Sequence, residues 1–451
     1  MAPTAIPQLH GLPFIGSLRD FQTDRLNLFL RTYHTFGDLG GFRVGPWPVV
    51  MLNSAEHVQT VLVKYAEHVE RPPRLRAILR PMVGGGLLTS ENDDHKRQRR
   101  LVAPALQHRR ISSYADTIAS YTEQACCEWL DAGVIDVAHA MMQLTLRIVG
   151  KALFGTHIAS EATSLGQALV TAMHYITGNS TTLVHLPTNW PTPRNRQFHR
   201  SMAVLNAAID RMIQDRRRRA TNQDDLLSLL LQAQYEDDES FMTDQQVHDE
   251  AITLFLAGYE TMATALTWTW SLVARHPAIY AQMREEVDRV LAGRTPEFAD
   301  CVHLPYTLQV LKEAMRLYPP VYILARYVTK PIPLDDYCLM PGLTVGVSAY
   351  VLHRRPDYFS DPERFDPDRW TPEASANLPR HAYLPFGAGP HNCIGYHFAM
   401  MEGHLILATL AQRVLFELES VEKLKPELLM TLRPKGPITM VVRRRSSTLN
   451  T

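Results

Sequence analysis

Cys393 lies in Phe386-Gly387-Ala388-Gly389-Pro390-His391-Asn392-Cys393-Ile394-Gly395, the stretch of this chain with the clearest chemical potential. A thiolate is a strong metal ligand when it is protected from protonation and oxidation. Glycines at 387 and 389 let the backbone fold tightly over the sulfur and aim N–H groups at it. Ile394, Phe398, Met401, Leu405 and Ala408 then recur at steps of four and three, the pattern of one helix face. The spacing predicts a cysteine at a helix N-terminus, where the macrodipole favours the anion. On these residues alone the alternatives are a ligating thiolate and a buried structural thiol.

Three further groupings carry chemistry. In Ala257-Gly258-Tyr259-Glu260-Thr261 an acid stands beside a hydroxyl inside an apolar segment. Buried there, both need partners; they read as a kink with satisfied side chains or as a proton relay beside a reaction centre. Gly258 costs a helix ~1 kcal/mol against alanine, so its presence calls for a reason. His95 and Arg99, four apart, share a helical face able to clamp a carboxylate or phosphate, against the plainer reading of a solvated basic face. Glu313 and Arg316, three apart, can pair; most such pairs are surface bridges worth under ~1 kcal/mol.

The elements that must position these residues are mostly helical. Residues 243–275 are the longest predicted helix, opened by a Thr243/Gln246 capping box and closed by Pro277. At 1.5 Å per residue it spans roughly 50 Å. It is apolar on nearly every face and must be buried; Glu260 and the five threonines of 251–274 argue against a lipid span. Residues 39–52 read as a hairpin about Gly45-Pro46, 56–66 and 304–318 as helices, and 71–88 as a long loop containing Gly84-Gly85-Gly86. Helix follows helix over 112–217, broken at 179–194, which carries Leu183, Val184, Leu186 and Trp190. The run Arg216-Arg217-Arg218-Arg219 reads as a solvated helix end. Strand-like pieces follow at 321–328, 331–334 and 344–350, then a proline-rich meander at 361–367. An alternating tail at 428–443 is expected to be a hairpin turning at Pro434-Lys435-Gly436-Pro437.

No repeat or low-complexity linker divides the 451 residues. That points to one domain, mostly α with small β-sheets: a β-rich part at about 1–70 and 321–350, and a helical remainder. Lys+Arg and Asp+Glu balance at 46 each, which excludes a global pull towards nucleic acid. Five cysteines, an odd count without C-x-x-C, argue against a disulfide framework and suit a reducing compartment. The first residues show neither a basic n-region nor a long apolar run, so no membrane anchor is expected and a cytoplasmic location is.

Together these motifs resemble the cytochrome P450 family of haem-thiolate monooxygenases, over nearly the whole chain. The cysteine signature has the family spacing at Phe386, Gly387, Gly389, Cys393 and Gly395. The central-helix motif is Ala257 to Thr261, the E-x-x-R pair is Glu313 and Arg316, and the meander arginine is Arg364 within Pro362-Glu363-Arg364-Phe365. Each motif is weak alone; four in order at the right separations are specific. The resemblance implies haem b with Cys393 as iron ligand, under a long central helix. It implies His95, Arg99, His391 and Arg326 at the propionates, His95 standing where tryptophan is common and His391 where arginine is, with a titratable charge. It implies a buried charge triad of Glu313, Arg316 and Arg364, a helix opened for oxygen at Gly258, and proton delivery by Thr261 and Glu260.

The implied activity is insertion of one oxygen atom of O2 into a hydrophobic small molecule, by hydroxylation or epoxidation. The motif style leans towards terpenoid or fatty acyl substrates of secondary metabolism. Substrate contacts are expected from residues 71–88, the helices flanking 179–194, Leu254, Phe255, the 321–325 turn and the tail near Leu432. Electrons are expected from a separate ferredoxin- or flavodoxin-type donor with its reductase, docked on a monomer near Lys96, Arg97, Arg100, Arg109 and Arg110. The alternatives are a haem-thiolate isomerase, dehydratase or peroxygenase, which the Glu260-Thr261 pair argues against, and a non-enzymatic haem sensor, which the full motif set argues against.

Overall fold

The computed structural model describes residues 4–158, 161–182, 187–219, 225–235, 240–420 and 424–445. Its axis is the helix Asp244–Val273, 30 residues and therefore about 45 Å long. Thr243 caps it reciprocally: its Oγ1 accepts from Gln246 N, and its own N–H donates to Gln246 Oε1 at 2.8 Å. The helix is buried on almost every side, as its unbroken apolar composition requires. Trp268 stacks on Tyr318 with ring centroids 3.7 Å apart, and its Nε1 donates to Leu432 O at 2.7 Å. Along its flank runs the helix Val137–Ala152, whose Thr145 Oγ1 donates to Tyr259 O at 3.1 Å. The helix Tyr396–Arg413 follows the cysteine turn and shares the same apolar core.

A five-stranded sheet lies beside this bundle, ordered Leu39–Val44, Trp47–Leu52, Thr344–Val347, Leu324–Val328, Val69–Glu70. It joins the two sequence-distant segments read as β-rich. The first two strands form the expected hairpin, with Val44 opposite Trp47. Strand Leu324–Val328 carries Arg326, paired with Val345, towards the bundle.

Three expectations are corrected. Residues 71–88 are not one loop: Pro73–Val83 is a helix whose Leu79, Met82 and Val83 are buried. Pro73 starts it where a missing N–H costs nothing. The tail is not one hairpin: Leu432–Pro434 pairs with Pro426–Leu428, whereas Thr439–Arg444 pairs with Val414–Leu418 and Val134–Asp136. Arg216 is buried rather than solvated, bound to Asp225, Ser228 and Phe154 O. Leu183, Val184 and Leu186 lie outside the described residues.

Candidate active site

Phe386 O accepts from Cys393 N at 2.8 Å, closing the turn that presents the thiol. Gly387 and Gly389 hold φ of 72° and 70°, the left-handed region that a Cβ disfavours. A Cβ on Gly389 would also collide with Leu62 O. The helix begins at Tyr396, three residues past the cysteine, and the Tyr396 ring meets Phe386 edge-on at 4.8 Å. Burial pushes the Cys393 thiol up; the Gly395 N–H and the Arg99 charge pull it down, and the thiol stays raised. A coordinated metal ion would deprotonate it outright.

Around this turn gather Arg71, His95, Arg99, Arg326 and His391. His95 and Arg99 lie on the helix Asn92–Val102, as their spacing predicts. Arg99 clamps Asn392 with two donors, Nη1 to the carbonyl at 2.8 Å and Nη2 to Oδ1 at 2.7 Å. The His95 and His391 rings lie 3.9 Å apart. Burial and the arginines lower His95 to about 4 and His391 to about 2. Desolvation and the surrounding cations both disfavour the imidazolium here; a bound dicarboxylate would oppose them, because an opposite charge favours the charged form. Burial and Arg71 lower even Arg326, to about 10. Glu91 is an acid held among these groups, 2.9 Å from Arg71 Nη1 and 3.5 Å from His391 Nε2.

On the central helix, accessible surface appears at Ala257, Gly258 and Thr261, between buried Leu256, Tyr259, Glu260 and Met262. An opening midway along a buried helix marks an internal chamber. Thr261 Oγ1 donates to Ala257 O at 2.8 Å. Glu260 turns away from Thr261: its Oε1 accepts from Thr431 Oγ1 at 2.9 Å. Burial pushes its carboxyl up, against the lowering effects of Arg433 and Thr431. A Cβ on Gly258 would lie 3.2 Å from Val149 Cγ2. The missing side chain thus admits the neighbouring helix. Phe255 likewise packs into the core against Phe154 and Tyr259.

Glu313 and Arg316 are fully buried and bidentate at 2.8 Å. Their third partner is not Arg364, whose side chain is 67% exposed. Arg369 Nε lies 3.4 Å from Glu313 Oε1, and Trp370 Nε1 donates to Oε2 at 3.0 Å. Arg364 contributes only its carbonyl, accepting from Arg316 Nη2. Asp361 carries φ +48°; from it the meander swings Arg364 outward and brings Arg369 back.

The cytochrome P450 family model matches residues 6–442. The chain belongs to the cytochrome P450 family. It is 39% identical to cyclooctatin synthase of Streptomyces melanosporofaciens over 96% of this chain and 94% of that one. It is 34% identical to cyclooctat-9-en-7-ol 5-monooxygenase of the same organism (85% and 84%). It is 32% identical to pentalenene oxygenase of Streptomyces avermitilis (94% and 93%). The solved structure of retinoic acid bound cyanobacterial CYP120A1 superposes with a TM-score of 0.87 over 99% of this chain and all of that one, at 24% identity. This P450 is a monooxygenase, an oxidoreductase.

The site fits haem, the cofactor of the family. Cys393 is its single soft donor, and no cluster of three His, Cys, Asp or Glu able to hold a bare metal ion occurs among the described residues. Five basic groups beside the thiol match a doubly carboxylated ligand. No described helix is long and apolar enough to cross a membrane. Arg71, Glu91, Asn392, Thr431, Arg433 and Arg369 escaped the sequence reading. Only Arg369 left a signal: Pro367-Asp368-Arg369-Trp370 repeats the pattern proline, acid, arginine, aromatic of residues 362–365. On the expected donor-docking face, Lys96 is engaged by Asp93 and Glu67, and the Arg109 side chain lies outside the described residues.

Proposed function

We propose that this P450 hydroxylates or epoxidises a cyclic terpenoid, using haem b ligated by Cys393, O2, and electrons from a separate ferredoxin- or flavodoxin-type donor. The observation that carries the substrate class is the near full-length match to three relatives named for cyclooctatin and pentalenene chemistry.

Haem bound at this site supplies the redox chemistry of oxygen activation. The chain supplies ligand, anchoring and protons. Arg71, His95, Arg99, Arg326 and His391 would hold the haem carboxylates, the imidazoles as hydrogen-bond donors and the arginines as donors that also carry charge. Thr261 holds a hydroxyl proton on Oγ1, donated to Ala257 O at rest and free to swing into the chamber. Glu260, whose carboxyl burial pushes towards the protonated form, stands one residue away, and Thr431 holds it in place.

The test pairs spectroscopy with a ligand panel. The reduced, carbon-monoxide-treated protein is expected to show the red-shifted Soret band of thiolate ligation, lost in Cys393→Ala. Polycyclic diterpenes and sesquiterpenes are expected to shift the iron spin state at lower concentration than fatty acids of equal carbon number. The reverse order would overturn the terpenoid assignment.

A further inference from the structure

The Gly84-Gly85-Gly86 run sits against the first half of the central helix, where two adjacent acids grip its backbone. Asp249 Oδ2 accepts from Gly85 N at 2.6 Å. Glu250 Oε2 accepts from Leu87 N at 3.1 Å. The fit is close on both sides. Gly84 holds φ +60°, with the Asp249 carboxylate where a Cβ would stand, and a Cβ on Gly86 would lie 2.6 Å from Asp249 O. The turn is closed from outside by Gln98 Nε2, which donates to Gly85 O at 2.9 Å, and by Thr89 Oγ1, which donates to Gly84 O at 2.6 Å.

Glu250 has no evident structural reason to be an acid. It is 0% exposed, and its second oxygen, Oε1, has no hydrogen-bond partner. One N–H is poor recompense for burying a carboxyl group; an apolar residue would pack the same helix without that cost. What the carboxyls do is bind the backbone just after the helix Pro73–Val83. That helix contacts both the helix Ala162–Ser180 and the central helix, and the acids that bind the backbone after it lie two turns before the accessible stretch at Ala257.

We propose that Asp249 and Glu250 form a double latch that holds the helix Pro73–Val83 down as a cover over the substrate chamber. The cover role rests on the P450 reading above; the latch does not. Releasing the two N–H groups frees the triglycine run to act as a hinge, because glycine carries little conformational restraint of its own. The two acids are positioning residues and never touch the reacting atoms.

Two measurements separate the parts. Hydrogen–deuterium exchange of the whole protein tests the latch without any ligand. Residues 84–88 are expected to exchange at least tenfold faster in Glu250→Ala and Asp249→Ala, with the helix Tyr396–Arg413 unchanged. Glu250→Gln keeps an acceptor oxygen and is expected to stay within twofold of the parent. Unchanged exchange in both alanine variants overturns the latch; so does equal acceleration in Glu250→Gln. If Glu250→Ala fails to fold, the less buried Asp249→Ala decides alone. Stopped-flow binding of 4-phenylimidazole against imidazole then tests the cover. The bulky azole is expected to associate several-fold faster in the variants and imidazole no faster. Identical rates for 4-phenylimidazole in parent and variants overturn the cover, whereas a parent that binds neither azole contradicts the haem site instead.

Discussion

Thr431 and Glu260 are joined by a 2.9 Å hydrogen bond across 171 residues of sequence. The bond ties the strand that follows Thr431 to the middle of the central helix; Trp268 makes a second tie to Leu432 two turns on. The acid beside Thr261 is therefore steered by the tail rather than by its neighbour. Thr431→Val leaves the Glu260 carboxyl buried without its hydroxyl donor, a loss of about 1–3 kcal/mol. Product formed per electron pair is expected to fall several-fold, with hydrogen peroxide rising in proportion. Thr431→Ser is expected to restore coupling. Unchanged coupling in Thr431→Val would show that Glu260 needs no such support.

Arg369 rather than Arg364 completes the ion cluster on Glu313. Arg369→Ala removes one cationic partner from a carboxylate with no solvent contact, while Arg316 and Trp370 remain. The expected loss is about 1–3 kcal/mol, less than the roughly 3–5 kcal/mol of breaking a buried pair outright, because Arg316 still compensates the carboxylate. Arg364→Ala alters an exposed side chain and is expected to stay within about 0.5 kcal/mol. Urea unfolding followed by the tryptophan signal compares the two. A larger loss in Arg364→Ala would reverse the assignment.

These two cases mark where the chain was legible and where it was not. Cys393 with its glycines, His95 with Arg99, and Glu313 with Arg316 are local patterns, and short spacing on one turn or one helix face determines their geometry. The long central helix was readable for the same reason, since its cap and its apolar run are contiguous. Arg364 and Arg369 occupy equivalent places in two copies of one local pattern, so only the fold of the meander chooses between them. Thr431, Arg433 and Arg71 reach the site by tertiary packing, which leaves no periodicity to read. The helix Pro73–Val83 was hidden by prolines at 72, 73 and 81; the first two precede or begin it, and Pro81 sits within it.

Glu250 makes stability depend on pH. Its folded value is about 7 against an ordinary 4.5, raised first by burial, helped by Asp249 and opposed by the Leu87 N–H. The folded state therefore binds more protons than the unfolded state between those values. Stability present below pH 4.5 is lost as pH rises through 7, by about 3 kcal/mol for this group alone. Glu250→Gln cannot ionise and is expected to flatten that slope. Parallel urea midpoints for parent and variant from pH 5 to pH 8 would contradict it.

Gly389 and Gly395 flank Cys393 but differ in need. Gly389 holds φ +70°, and a Cβ there would strike Leu62 O, which is backbone and cannot step aside. The left-handed conformation alone costs a non-glycine residue roughly 1–2 kcal/mol. Gly395 has an ordinary φ of −86°, and a Cβ there would meet only the Cys393 sulfur, at 3.9 Å. Gly389→Ala is thus expected to destabilise the protein by more than about 2 kcal/mol and to reduce the fraction showing the thiolate-ligated carbon-monoxide spectrum. Gly395→Ala is expected to fold and to keep that spectrum, with any change confined to the band position, since the new methyl group touches the ligand. A Gly395→Ala protein that unfolds as readily as Gly389→Ala would mean that the second glycine is required by backbone freedom rather than by the room it leaves beside the sulfur.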